Sequence, residues 1–158
     1  MRARRVEDLE GTMPLAVAAR RIVAVRVDEL FGLADSALAG EDVVALHDMR
    51  IAAKRLRYVL ELVGFCLGDV AREAERRMRE LQTVVGDIHD CDVLLERLVR
   101  RDDFGIRGMR ALGARVSVRR RALFVDFVSC WSEIEATALH ERIVAATSYS
   151  PNGAMSRA

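Results

Sequence analysis

The chain has 158 residues; half are hydrophobic, nearly a third are charged, and 25 Lys and Arg against 24 Asp and Glu leave a net charge of +1. That length suits one domain with a sizeable core. The near balance of charge argues against a general nucleic-acid binder, which carries a broad basic excess, so any polyanion site must be a local concentration of cations.

Residues 1–13 read as a flexible lead-in. They are basic but lack the apolar stretch of a secretory signal, and no apolar run in the chain approaches the roughly 18 residues of a membrane span. Thr12 and Pro14 suit a helix start. A first helix is expected from there to about Ala39, with Val17, Ala18, Ile22, Val25, Leu30 and Leu33 inward and Gly32 as a weak point. Gly40 ends it. Glu41 and Asp42 open a second helix, their charge complementing its positive end; it runs to about Leu67, with Gly64 fraying its end and Gly68 stopping it. A third helix is expected over 69–101, with Ala74, Met78, Leu81, Val85, Ile88 and Leu95 inward. Gly86 inside it suggests close approach of another helix. Residues 102–108 read as a connection. A fourth helix is expected over 108–146, with Leu123, Phe127, Trp131, Ile134, Ala138 and Leu139 as its core side. Residues 147–158 have the small, polar composition of a disordered tail. Four long helices with short connections predict an all-α, antiparallel four-helix bundle over 14–146. Cys66, Cys91 and Cys130 lie far apart without metal-ligand spacing, as reduced thiols of a cytoplasmic protein do.

The second helix is unusual in its outer face. At about 100° per residue, Met49, Ala52, Ala53, Leu56, Val59, Leu60 and Val63 share one side. His47, Arg50, Lys54 and Arg57 share the other, with Arg55 on the flank. The cations hold one sign over three turns. On the third helix Arg72, Arg76 and Arg79 form a second row, with Asp87 and Asp90 further along it. Arg119, Arg120 and Arg121 cluster on the fourth, and only one or two of them can share a face.

Two segments together resemble the CHAD family of α-helical domains. The first is His47-Asp48-Met49-Arg50-Ile51 with Lys54-Arg55-Leu56-Arg57: a histidine, an arginine three residues on, then a basic cluster. The second is Leu81-Gln82-Thr83-Val84-Val85-Gly86-Asp87-Ile88-His89-Asp90-Cys91-Asp92-Val93, which is similar to the family's leucine, glycine and Asp-x-Asp-Val segment. The resemblance implies a helical fold with a basic surface for inorganic polyphosphate and no catalytic activity of its own. Some members occur fused to, or encoded near, triphosphate-processing enzymes, so such an enzyme is an implied partner. The family's full domain pairs two similar four-helix halves across a basic channel. This chain supplies one half, with His89 and Lys54 where the family usually has arginine. A homodimer is therefore expected to rebuild the two-fold arrangement.

The expected polyphosphate-binding residues are His47, Arg50, Lys54, Arg55, Arg57, Arg72, Arg76, Arg79, Arg119 and Arg120. Polyphosphate has charge and no bases, so its site needs cations repeated along a groove, and a guanidinium donates two parallel hydrogen bonds to phosphate. Positions 50, 54 and 57 advance about 5–6 Å per step. Against this stands a solvated face with scattered ion pairs. Arg55 and Arg57 could instead lock onto Asp87, Asp90 or Asp92, and Asp90 and Asp92 fit braces better than phosphate contacts. The alternative function is a helical interaction or regulatory protein whose basic face docks an acidic protein partner. No metal or cofactor is expected: His89 with Asp87 and Asp90 reads as a surface histidine beside acids. Nor is an enzyme, since His47-Asp48 has no accompanying nucleophile or paired acid. Association with polyphosphate granules follows from the polyphosphate reading.

Overall fold

The computed structural model describes residues 2–40, 42–100 and 107–148, and among them every regular element is helical. They form an all-α bundle of α1 (Leu15–Phe31), α2 (Ala34–Leu38), α3 (Val43–Val63), α4 (Asp69–Val99), α5 (Arg107–Ala136) and α6 (Leu139–Ser148), with a 3-10 turn over Gly64–Cys66.

Two of the four expected helices are broken. The first stops at Gly32, where the chain turns for two residues before the short α2. Its core line also differs from the expected one: Ala19, Val23, Val27 and Leu30 are buried, while Val17 is exposed. α1 is apolar on more than one side, so hydrophobic content alone does not fix its rotation. The second break is at Thr137–Ala138, where Ala138 adopts φ 49° and faces solvent instead of joining the core. Beyond it α6 returns Leu139 and Ile143 to the centre of the molecule. The aromatic rings of Phe31 and Trp131 lie 5.0 Å apart there, and His140 stacks on Phe31 at 4.5 Å.

The other boundaries have local causes. The Asp42 carboxylate accepts from the Val44 and Ala45 backbone N–H groups at 2.8 and 3.1 Å, satisfying donors that the first turn leaves orphaned. Gly40 before it has φ 81°, and a Cβ there would meet the Phe124 ring at 2.7 Å. Gly68, at φ 70°, lets the chain reverse into α4. Residue 41, residues 102–106 of the expected connection and residues 149–158 of the expected tail lie outside the described residues; Thr147 and Ser148 close α6.

Residues 2–13, expected as a loose lead-in, hold hydrogen bonds to α1. The Arg4 N–H donates to Glu29 at 2.6 Å, the Arg26 guanidinium donates to the Arg4 carbonyl at 2.9 Å, and Arg21 donates to the Asp8 carbonyl. Glu29 is the one buried charged side chain among the described residues. Arg26 is paired with it and Arg55 of α3 approaches it at 3.7 Å. α4 sits between α3 and α5, tied to the latter by Arg120–Asp92 at 2.5 Å and Arg77–Glu133 at 2.8 Å, and α6 is tied to α4 by Arg142–Glu73 at 2.6 Å.

Candidate functional site

α3 and α4 run antiparallel, and their outer faces meet in a seam. The His47 and His89 rings are 5.2 Å apart at one end. Further along, Arg57 Nε donates to the Gln82 side-chain oxygen at 3.2 Å, and Arg79 reaches Glu61 at 3.7 Å. Between these, Arg50 Nε lies 4.0 Å from where a Gly86 Cβ would be. Gly86 thus leaves room for the Arg50 side chain. The expected close approach of another helix at Gly86 is not found, because this guanidine nitrogen, and no backbone, is its neighbour.

Each helix contributes a line at spacings of 3, 4 and 3: His47, Arg50, Lys54 and Arg57 from α3, and Arg79, Gln82, Gly86 and His89 from α4. This spacing keeps side chains on one helical stripe. The seam floor is apolar on both sides, with Met49, Ala53 and Leu56 of α3 and Val85 and Ile88 of α4 buried beneath.

The cations differ in what holds them. Arg57 is engaged by Glu61 and Gln82, and its guanidinium lies 4.5 Å from the centre of the half-exposed Tyr58 ring. Arg79 pairs with Glu75 at 2.5 Å. Lys54 is exposed, with its ammonium 5.6 Å from the Tyr58 ring. Neither Arg50 nor Lys54 has a carboxylate within ion-pair distance among the described residues. The middle of the seam therefore offers cationic donors without an internal acceptor, bounded by the imidazoles at one end and by Glu61 and Glu75 at the other.

The remaining expected site residues disperse. Arg55 turns to Glu29 on α1, on the opposite flank of α3. Arg72 pairs with Asp69 at the far end of α4. Arg76 pairs with Glu80 at 2.8 Å and lines the hollow between α4 and α5, so it is not a neighbour of the α3 cations. Arg119 lies 4.0 Å from Asp87, and Arg120 is clamped to Asp92 with both side chains largely buried. The expected locks from Arg55 and Arg57 to Asp87, Asp90 or Asp92 do not form, because those acids point toward α5. Asp92 is a brace, as expected, but its partner is Arg120. Asp90 lines a hollow with Asp87, Val116 and Arg119. The second row on α4 is thus not a single basic-then-acidic face. Its acids are turned away from the seam.

His89 and Gln82 are the seam residues that α3's periodicity does not reveal. Their signal is the 3-4-3 spacing from Arg79, which matches that of α3 and separates His89 by phase from Asp87. Among the described residues no group of three or more His, Cys, Asp or Glu side chains is placed to hold a metal ion, and no helix is long and apolar enough to cross a membrane. Burial pushes the Cys91 thiol up from its ordinary range, and burial does the same to Cys130, the direction opposite to thiolate activation.

No curated protein and no solved structure is similar enough to match the chain. A family model does match: that of the CHAD domain, over residues 2–99, which takes in both quoted motifs and the whole α3–α4 seam. With more than half of its length matched, the chain belongs to the CHAD domain family.

Proposed function

We propose that this chain is a non-catalytic module that binds inorganic polyphosphate along the α3–α4 seam. CHAD domains are known in polyphosphate- and triphosphate-associated proteins. The observation that carries the reading for this chain is the pair Arg50 and Lys54. They stand at mid-seam over an apolar floor with no carboxylate among the described residues to neutralise them. Paired cations must surrender a partner to take a ligand; these two do not. Arg57 and Arg79 extend the row but share their charge with Glu61 and Glu75, and His47 and His89 add ring N–H donors at the other end. A linear polyanion lying along the seam meets donors on both sides, and release of its counterions makes the affinity fall with salt.

In this reading the seam is one wall of the site. A second copy of the chain completes the assembly, a triphosphate-processing enzyme is a candidate partner, and polyphosphate bodies are where the protein collects. Titration with long-chain polyphosphate at low ionic strength tests the core of the proposal. Salt-sensitive binding that Arg50→Ala with Lys54→Ala weakens at least tenfold supports it. Equal binding by wild type and that double variant, or none by wild type, sinks it.

A further inference from the structure

α5 carries apolar residues on two opposite sides. Gly113, Val116, Phe127, Trp131 and Ile134 face inward. At about 100° per residue, the line pointing most directly away from them is Ala111, Ala114, Val118, Ala122, Val125 and Ser129. All six are exposed, Val118 by 59% and Val125 by 63%. An outer helix face normally carries charge on this line. Here, apart from Arg107 at the start of the helix, the charges stand beside it. One flank holds Arg115 and Arg119 in its first half and Asp126 and Glu133 in its second; Arg119 and Glu133 also reach Asp87 and Arg77 of α4, yet their side chains stay 68% and 63% exposed.

That order is self-complementary. When two identical helices pack antiparallel about a two-fold axis, each flank meets the same flank of the other copy, reversed. Arg115 and Glu133 share a midpoint at position 124, and Arg119 and Asp126 at 122.5. The two midpoints differ by about 2 Å along the axis, and Ala122 and Val125 straddle them. A single register therefore places Arg115 against the partner's Glu133, Arg119 near the partner's Asp126, and Val118 against the partner's Ser129. The residues at the crossing are small, which lets two helices approach closely. The other flank, with Arg110 and Arg121, gains no acid in this register, so the apolar line and one flank carry the contact. An anionic lipid surface or a polyanion would meet Asp126 and Glu133 as repulsive charges.

We infer that the outer face of α5 is the surface through which two copies of this chain pair antiparallel. This names a face for the second copy invoked above and rests on that part of the reading. The test is solution mass from light scattering, with no polyphosphate present, so its failure leaves the seam titration standing. Wild type is expected at twice the 17.7 kDa chain mass, and Val118→Glu at the single-chain mass. Arg115→Glu with Arg119→Glu makes the flank wholly acidic, and Asp126→Arg with Glu133→Arg makes it wholly basic. Each of these proteins is expected to be monomeric alone, and a 1:1 mixture is expected to form a heterodimer. Helicity by circular dichroism equal to wild type is required of every variant, and Val118→Glu, at an exposed site, keeps the test available if a double variant does not fold. A monomeric wild type up to sub-millimolar concentration, a dimeric Val118→Glu, or a mixture that stays monomeric overturns the inference.

Discussion

Replacing Arg50 and Lys54 with alanine removes the two seam cations that no carboxylate holds among the described residues. For a single-stranded polyanion each neutralised phosphate contributes about 0.7 to the slope of log K against log salt. Four cations, Arg50, Lys54, Arg57 and Arg79, give a slope near −2.8, a loss of roughly 600-fold for a tenfold rise in salt. The double variant retains two and falls to about −1.4, or roughly 25-fold. Arg57 and Arg79 already share charge with Glu61 and Glu75, which lowers both slopes by the same amount and leaves their difference near 1.4. The assay is a fluorescence titration of labelled long-chain polyphosphate at four or more salt concentrations, with both proteins at equal helicity. Stability should move by less than about 0.5 kcal/mol, because neither side chain braces the fold. Parallel salt slopes for the two proteins would refute the assignment of free charge to mid-seam, whatever the absolute affinities.

Three further outcomes follow from contacts outside the seam. Glu29→Gln leaves Arg26 and the Arg4 N–H without their buried carboxylate, at a cost of about 3 kcal/mol, and thermal unfolding should report it as a drop of roughly 6–12 °C. The Arg142 guanidinium hydrogen-bonded to Glu73 holds that carboxyl below its usual range. Its stabilisation is therefore present above the unfolded carboxylate pKa and lost as pH falls through the lower folded value. Arg142→Ala should lower stability slightly at neutral pH, as loss of an exposed ion pair does, and urea midpoints of the two proteins should converge in acid. Ala138→Gly relieves a left-handed residue at the α5–α6 break and should stabilise by up to about 1 kcal/mol, read in the same urea titration; a loss of stability there would mean the break is set by something other than this backbone angle.

How much was legible in the sequence differs from element to element. α3 and α4 were readable because each has one continuous apolar stripe and marked boundaries: Asp42 opens α3, Gly64 ends it and Gly68 precedes α4. The seam was readable from α3 because spacing within a helix fixes which side chains share a face. The partners of those side chains were not, because pairing across helices depends on rotation and register, which no single-helix pattern carries. Thus Arg76 was assigned to the seam and belongs to the α5 side, while His89 was set among acids and belongs beside His47. α1 misled because its apolar residues cover more than one face. The break at Ala138 has no glycine or proline to announce it; tertiary packing of Leu139 and Ile143 imposes it. Glu29 went unnoticed because a lone glutamate on a helix normally faces water.

Among the described residues Arg50 and Lys54 form no ion pair that ties one helix to another, and this has a consequence for how the protein can change over generations. Several charged residues here answer to two demands at once, since altering Arg120 or Arg77 disturbs a junction between helices whatever it does to a ligand. The mid-seam pair answers to one. Drift at those two positions is invisible to folding and exposed only to selection on what the seam touches. In the proposed reading the seam can therefore retune its affinity for polyphosphate without first acquiring compensating mutations in the core.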